Sequence, residues 1–470
     1  MTNRDDEYAE FCRNKRVIVP DVGFDPGEIT GGILFPFQRH VVRTCLRRGR
    51  SAAFLDCGLG KGPTALTFAH MVQQHTGKQA LILAPLGVAR QFEREGLKFD
   101  LPVNYATCQD EATQAVTVSN YERLDNFDQS KFSCIVLDES SCLRNYSGIT
   151  KRKLVSAFEF TPFKLCCSAT PAPNDYIELG NHAEFLGVMK SRDMLTRWFV
   201  QAPDKNQKMK LKGHSIDDFW DWVAGWALMA GKPSDLDDSF SDDGYVLPEL
   251  ITHRHCVDID IIAGRAEGML MRVPDLSSTG IHKELRITSE LRAKVAAEII
   301  AENPNESWLV WADTDYDADA LQAIMPGIRN LKGSENANRK EQALIGFTVG
   351  EPLHLLTKGK IAGYGMNYQH CANQICLASS YKFEQVYQQM RRSWRFGQTK
   401  PVHVHYIYGT NESAVVDVLE QKRRAFAGMQ ESMFSAMRRR QQAKEASPKY
   451  TPIGKLRLPH WIRSEVRSSV

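Results

Sequence analysis

Short apolar runs punctuate the first third of the chain, and each is closed by a small or charged residue before a helical pattern begins. Ala52-Ala53-Phe54-Leu55 runs into a glycine-rich turn, and Ala80-Leu81-Ile82-Leu83-Ala84 ends at Pro85. Cys134-Ile135-Val136-Leu137 ends at Asp138, and Lys164-Leu165-Cys166-Cys167 ends at Ser168. Such runs have the length of strands buried on both faces. They fall far short of the roughly 20 residues needed to span a membrane. Strands alternating with helices make βαβ units and a parallel sheet. Trp308-Leu309-Val310-Trp311-Ala312, His354-Leu355-Leu356-Thr357 and Val402-His403-Val404-His405-Tyr406-Ile407 predict a second such unit from about residue 286. The fold class is therefore α/β, with two parallel-sheet lobes. Ligands on such sheets bind at the carboxyl ends of the strands, where the special turns of this chain lie.

Between the two units the texture changes. Residues 191–250 hold four of the eight tryptophans (Trp198, Trp220, Trp222 and Trp226) and the acidic stretch Asp235 to Asp243. This predicts a mostly helical insert whose aromatics serve packing, with a binding platform as the alternative. The expected divisions are an N-terminal segment (1–30), lobe one (31–190), the insert and linker (191–285), lobe two (286–436) and a basic tail (437–470).

Composition narrows the class. With 470 residues, 43% hydrophobic and 24% charged, the chain is an ordinary globular protein, which excludes disordered, collagen-like and disulfide-dense classes. Length alone allows about three domains. The eleven cysteines form no CxxC pair, so no structural zinc is expected and buried small hydrophobes are. The charged N-terminus carries no apolar signal core, which predicts a cytoplasmic protein with no membrane contact. Net charge is only +3, yet residues 437–470 hold nine Lys/Arg against two Glu, so the rest of the chain sums to −4. The tail is either an accessory nucleic-acid arm or a solvated terminus. Docking of the tail on the oppositely charged Asp235–Asp243 stretch when DNA is absent is a further expectation.

The first turn carries the clearest chemistry. Leu55-Asp56-Cys57-Gly58-Leu59-Gly60-Lys61-Gly62-Pro63-Thr64 joins a predicted strand to a helix. Glycines let backbone N–H groups face phosphate oxygens, and the helix N-terminus adds partial positive charge. Lys61 supplies a point charge for the β/γ-phosphates. Gly62 stands where a P-loop carries the Ser or Thr that ligates Mg²⁺. Thr64 lies about 200° further round the helix and is no substitute. Water or a neighbouring carboxylate would have to take that place, and Gly62→Thr is expected to raise turnover if the hydroxyl is limiting. Asp138-Glu139 at a strand end fits an acidic pair that holds Mg²⁺ through water and polarises the attacking water.

The order of motifs resembles superfamily 2 helicases and translocases, nearest the Swi/Snf-like branch and its small phage or prophage members. Leu34-Phe35-Pro36-Phe37-Gln38 is similar to the branch's opening segment, which implies that Gln38 reads adenine. Residues 56–61 resemble motif I, with Gly58, Leu59, Gly60, Lys61 and Gly62 on the nucleotide. Ala84-Pro85-Leu86 with Gln91-Phe92-Glu93-Arg94-Glu95 resembles motif Ia, and Ser119-Asn120-Tyr121-Glu122 motif Ib. Asp138-Glu139-Ser140-Ser141 resembles a DEAH box, with Leu143-Arg144-Asn145 following it. Ser168-Ala169-Thr170-Pro171 resembles motif III, and residues 308–312 motif IV. Gly363-Tyr364-Gly365-Met366-Asn367-Tyr368 is similar to motif V, and Gln388 to Gln398 to motif VI.

The resemblance implies two RecA-like lobes with ATP and Mg²⁺ between them. Lys61, Asp138 and Glu139 would act from lobe one, and Gln388, Arg392 and Arg395 from lobe two. The two arginines are three apart, as on one helix face. It further implies nucleotide contact by Gly365 and coupling through Ser168, Ala169 and Thr170. Nucleic-acid contact would fall to Pro85, Arg90, Ser119, Arg144, Lys358, Lys360, Gly363 and Asn367. The implied activity is ATP-driven movement of a monomer along single- or double-stranded DNA, with RNA also open, in phage-type replication, recombination or fork remodelling. A degenerate P-loop protein that binds DNA but turns ATP over weakly is the alternative. Besides Gly62, the departures are Arg391 where the branch has Asp, Ser140-Ser141 in place of Ala-His, and Lys358-Gly359-Lys360, which is more basic than the usual approach to motif V and implies a stronger backbone grip.

Overall fold

The computed structural model describes residues 17–29, 34–144, 148–201, 209–258, 285–362, 367–377, 383–410 and 413–446. Helix α1 (Pro36–Arg48) opens on a proline, where the missing N–H costs little. It leads through β1 (Arg50–Leu55), α2 (Lys61–Thr76), β2 (Gln79–Ala84), α3 (Leu86–Lys98), β3 (Val103–Tyr105), β4 (Val116–Asn120) and β5 (Phe132–Asp138). Then follow α4 (Ile149–Ala157), β6 (Phe163–Cys167), α5 (Glu178–Leu186), α6 (Ser191–Trp198), the antiparallel pair β7 (Phe199–Gln201) and β8 (Met209–Leu211), α7 (Ile216–Trp226) and β9 (Ala227–Ala230). Seven of these strands make one parallel sheet in the order β3-β4-β2-β5-β6-β1-β9. Every residue of β4, β5 and β6 is buried, as strands covered by helices on both faces require.

The second lobe contains β10 (Leu250–Val257), α8 (Ser289–Glu302), β11 (Trp308–Ala312), α9 (Asp315–Ile324), β12 (Arg329–Asn330), α10 (Ala337–Thr348), β13 (His354–Thr357), α11 (Gly359–Ala362), β14 (Asn373–Leu377), α12 (Phe383–Met390) and β15 (Val402–Gly409). Its six strands are again parallel, in the order β10-β15-β14-β11-β13-β12. Along β11 the side chains alternate between two apolar layers. Leu309 and Trp311 join the larger core, which continues into lobe one, while Trp308, Val310 and Ala312 join a smaller one. The α/β class with two parallel sheets is thus the observed architecture. No helix among the described residues is long and apolar enough to cross a membrane.

The stretch expected as a separate insert divides between the lobes. Strand β9 pairs with β1 and completes the first sheet, while β10 pairs with β15 and forms an edge of the second. Ala227-Leu228-Met229-Ala230 has no strand propensity of its own; burial of all four residues beside β1 sets its conformation. The four tryptophans are buried packing elements: Trp198 stacks on Trp222 with ring centroids 4.7 Å apart, and Trp222 meets Trp226 edge-on at 5.6 Å.

The expected boundary at residue 436 falls inside helix α13 (Ser413–Ala446), a single element of 34 residues and so about 50 Å long. It starts in lobe two, where Phe426 packs on Phe383 and Tyr387, and ends on lobe one against α7 and β9. Met429, Met433 and Ala436 are fully buried along it. The backbone N–H of Met229 on the sheet edge donates to Met437 Sδ at 3.3 Å. Arg439 pairs with Asp221 at 2.8 Å and Asp217 at 3.3 Å, and Gln441 Nε2 donates to the Leu236 carbonyl and to Asp237. The charge partners of Arg439 therefore lie on α7. The expected acidic dock contributes Asp237 to Gln441, while its Asp242 pairs with Lys232 nearby at 2.6 Å.

Because residues 437–442 close the β9 edge, a chain ending at residue 436 should lose stability, by about 1–3 kcal/mol for the exposed and unpaired groups. A chain ending at residue 446 keeps these contacts and should melt above the shorter one. Equal urea midpoints for the two truncations would rule out this role.

Four histidines interleave across the β10–β15 edge pair. His253 Nε2 lies 3.0 Å from His403 Nδ1, His255 Nε2 lies 3.0 Å from His405 Nδ1, and the His253 and His405 rings stack at 4.3 Å. Each N···N contact needs one bare and one protonated nitrogen, so a further proton on the accepting ring sets two donors against each other. Burial, then His253, His255 and His403, pull His405 down to about 3; burial likewise lowers His253 and His255. The unfolded chain takes up these protons near pH 6.5, whereas the folded one resists. Stability present above pH 6.5 should fall as pH drops toward 4. His405→Gln should show a shallower fall of melting temperature over that range than the wild type; parallel curves would exclude the ladder as the source.

Candidate nucleotide-binding cleft

The turn after β1 is built for close approach by its backbone. Gly58 has φ +100° and Gly60 has φ +80° in the left-handed region, which costs glycine nothing. Gly60 caps helix α2, whose first residue is Lys61. A Cβ on Gly60 would lie 2.1 Å from Gln38 Nε2, so that side chain packs against the loop. Gln38 Nε2 donates to the Leu59 carbonyl at 3.1 Å, and its Oε1 accepts from the Phe35 N–H at 3.0 Å. Both ends of the amide expected to read adenine are thus engaged in bracing the loop. Leu59 faces the core. Lys61 Nζ donates to the Leu55 carbonyl at 3.0 Å, and the Thr64 hydroxyl donates back to Gly60 O at 2.9 Å, inside its own helix.

The acidic pair follows β5. Asp138 ends the strand almost fully buried, and burial, with Glu139 adding repulsion, pushes its carboxyl up to about 7. Glu139 stands at φ +59°, a left-handed conformation unusual for a non-glycine residue, and such strain gathers at functional sites. Its Oε1 accepts from the Ser168 hydroxyl at 2.8 Å, and the Thr170 N–H donates to Ser168 Oγ at 3.1 Å. Ser168, Ala169 and Thr170 are all buried. His182, held down to about 4 by burial, meets Ser140 Oγ at 3.1 Å.

Lobe two supplies the opposite wall. Gln388 lies in α12, but that helix ends at Met390. Arg392 and Arg395 therefore sit in the turn beyond it, and the expected shared helix face is not how they converge. Both line a cleft of about 300 Å³ together with Gly58, Gly60, Lys61, Gly62, Pro85, Glu95, Asp138, Glu139, Asn367 and Gln388. Burial and the neighbouring Arg392 pull Arg395 down to about 10, and its guanidinium donates to Asn367 Oδ1.

Two contacts fasten the lobes at this cleft. Arg391 pairs with Asp56 at 2.8 Å and donates to the Cys57 carbonyl at 3.0 Å, while the Tyr387 hydroxyl donates to the other Asp56 oxygen at 2.8 Å. Arg391 and Asp56 are both buried. Nearby, Glu384 accepts from the Ser141 hydroxyl and pairs with Arg144. Phe396 lies directly over Gly58, where a Cβ would come within 3.1 Å of it.

The remaining expected residues scatter. Pro85 and Asn367, expected on nucleic acid, line the cleft. Ser119 is fully buried with its hydroxyl on the Ala106 carbonyl at 2.7 Å, so it cannot touch a strand in this arrangement. Arg144 faces lobe two, Lys358 pairs with Asp315 at 2.8 Å, and exposed Arg90 lies over the Tyr105 ring. Gly363, Gly365 and the side chain of Lys360 lie outside the described residues. Sequence reasoning missed Tyr387, Glu384 and Glu95, because their roles depend on meetings across the fold.

The donor set suits the nucleotide and metal that the motifs imply. The loop offers backbone N–H groups and a lysine, and the carboxylates are hard oxygen donors of the kind Mg²⁺ takes, one or two at a time, alongside phosphate oxygens and water. Among the described residues no three His, Cys, Asp or Glu side chains could hold a metal by themselves, so phosphates would have to complete the site. No protein-family profile matches the sequence, and no curated protein sequence does. Among solved structures, the chain is similar to the Sulfolobus solfataricus SWI2/SNF2 ATPase core in complex with double-stranded DNA. Identity is 15% over 91% of this chain and 100% of that one, with a TM-score of 0.41.

Removing one member of a buried ion pair leaves an uncompensated charge and typically costs about 3–5 kcal/mol, while removing both costs far less. Arg391→Met should therefore lower the urea midpoint markedly, and adding Asp56→Asn should recover most of the loss. A double variant as unstable as the sum of the single ones would show that the pair is not coupled.

Proposed function

We propose that this chain is a nucleic-acid-dependent ATPase that uses motion between its two lobes to move along DNA. The observation that carries this reading is convergence: Lys61, Asp138 and Glu139 from lobe one and Gln388, Arg392 and Arg395 from lobe two line a single cleft. The motif order supports the choice of DNA. Its likeness to small phage motors supports a place in phage-type replication, recombination or fork remodelling, and hence in the host cytoplasm.

In this reading the loop N–H groups and Lys61 bind the phosphates, with Asp138 beside them to hold Mg²⁺. Mg²⁺, when bound, neutralises charge on the β- and γ-oxygens. Glu139 orients the attacking water and takes its proton, and Ser168 fixes that carboxylate in place. Arg392 and Arg395 face the charge developing on the transferred phosphoryl group, a contribution of roughly 10³–10⁵ in rate for arginines so placed. Lys61 leaves the Leu55 carbonyl to reach a phosphate. The Asp56 and Glu384 contacts both join the lobes at loops that would hold the nucleotide, so occupancy of the cleft and the set of the lobes are linked.

A second reading, nucleotide binding with weak turnover, draws on Gly62. One assay separates the two: ATP hydrolysis across single-stranded, duplex and forked DNA and RNA, with Glu139→Gln as control. The motor reading expects stimulation by at least one DNA form and a loss of about 100-fold or more in the variant. Stimulation no greater than that of Glu139→Gln would leave the weak-turnover reading standing.

A further inference from the structure

Gly62 follows Lys61 in the first turn of α2, where the motif calls for a hydroxyl. A Cβ built on Gly62 would lie 2.1 Å from Glu95 Oε2, 3.1 Å from its Cδ and 3.4 Å from Oε1. The space a threonine side chain would occupy is thus filled by the carboxylate of Glu95. That residue comes from the last turn of α3, 33 residues further along the chain. Gln91 Nε2 donates to Oε1 at 2.9 Å, which leaves Oε2 as the oxygen aimed at Gly62. Glu95 lies in the same cleft wall as Lys61, Asp138 and Glu139.

A largely buried carboxylate in a phosphate-binding cleft repels phosphate unless a cation stands between them. Lys98 and Arg395 lie close enough to Glu95 to favour its charge, though burial disfavours it more. Mg²⁺ is met in such sites by one or two carboxylates plus phosphate oxygens, and a carboxylate is a stronger ligand for it than a neutral hydroxyl. Glycine at 62 is what makes room for that ligand.

We propose that Glu95 takes the place of the missing P-loop hydroxyl and, with Asp138, holds Mg²⁺ against the nucleotide's phosphates. This assignment rests on the ATPase reading and deepens it. Of the sequence-based alternatives it selects the neighbouring carboxylate, so the missing hydroxyl is not limiting and Gly62→Thr, whose side chain would meet the Glu95 carboxylate, should not raise turnover. The ligand would belong to α3, so the helix that begins at the cleft-lining Pro85 would respond directly to the metal.

The test is nucleotide affinity in the full chain, read with a fluorescent non-hydrolysable ATP analogue in Mg²⁺ and again in EDTA. Mn²⁺ replaces Mg²⁺ in a parallel series followed by electron paramagnetic resonance. The wild type should bind more tightly with metal. Glu95→Gln keeps the shape and a partner for Gln91, and should lose roughly tenfold or more of the metal-dependent gain together with part of the bound Mn²⁺ signal. Gly62→Thr alone should bind metal no better than wild type, whereas Glu95→Ala with Gly62→Thr should recover much of what Glu95→Ala loses. Unchanged circular dichroism melts would show that these variants fold. If Glu95→Gln keeps the full metal-dependent gain, the assignment is wrong. It is equally wrong if the variant tightens nucleotide to the same degree in Mg²⁺ and in EDTA, for Glu95 would then be a repulsive plug. Wild-type protein that binds no nucleotide in either buffer brings down the ATPase reading and this assignment with it, which distinguishes the two failures.

Discussion

A carboxylate buried in the turn after β1 has to be compensated, and in this protein the compensation comes from the other lobe. Asp56 closes β1 with one oxygen on Arg391 and the other on Tyr387. An isolated charge there would cost several kcal/mol, so the loop and the end of α12 are bound to each other's geometry. The rest of the cleft follows from that junction. Phe396 is brought over Gly58, Arg392 and Arg395 are carried past the end of α12, and Glu384 reaches Ser141 and Arg144. Arg391 stands where the related motif has an acidic residue. Against Asp56 an acidic residue would add repulsion, so the basic one is what this junction demands.

The sequence was most legible where burial is uniform. Strands β1, β2, β5, β6, β11 and β13 read as apolar runs because helices cover both their faces, and the loops after β1 and β5 stood out through glycine and paired carboxylates. Strands whose identity depends on a neighbour were not legible. Ala227–Ala230 is composed of good helix formers and becomes β9 only beside β1. Strand β10 alternates histidine with apolar or polar residues as an edge strand does, and its partner lies about 150 residues away. In β14, Gln374 is fully buried because its Oε1 accepts from Trp311 Nε1 at 2.9 Å, a pairing no local pattern displays. At the cleft the residue types within each motif were readable, but their partners across the fold were not.

The lobes are joined at a second place, far along the chain from the first. Helix α13 leaves lobe two beside α12 and closes the β9 edge of lobe one through Met437, Arg439 and Gln441. A helix of this length is stiff and its apolar stripe is buried. The cleft junction combines the Asp56 and Glu384 contacts with Phe396 over Gly58 and an apolar core shared by both lobes. Undocking α13 would expose methionines and a sheet edge, so the lobes are held together at both places.

Seen from the cleft, three departures from the motif pattern come with a partner in the fold. Arg391 answers Asp56. Ser140 and Ser141, which replace Ala and His, are bonded to His182 and to Glu384 of the other lobe, so a link from the acidic motif to its surroundings survives in a different form. Gly62 faces Glu95, whose carboxylate stands in the space its own side chain lacks. At all three positions the changed residue has a partner in the fold, and at Gly62 that partner fills the space a side chain would take. In the proposed ATPase Gly62 is one half of an exchange with Glu95, so the missing hydroxyl does not by itself argue for weak turnover.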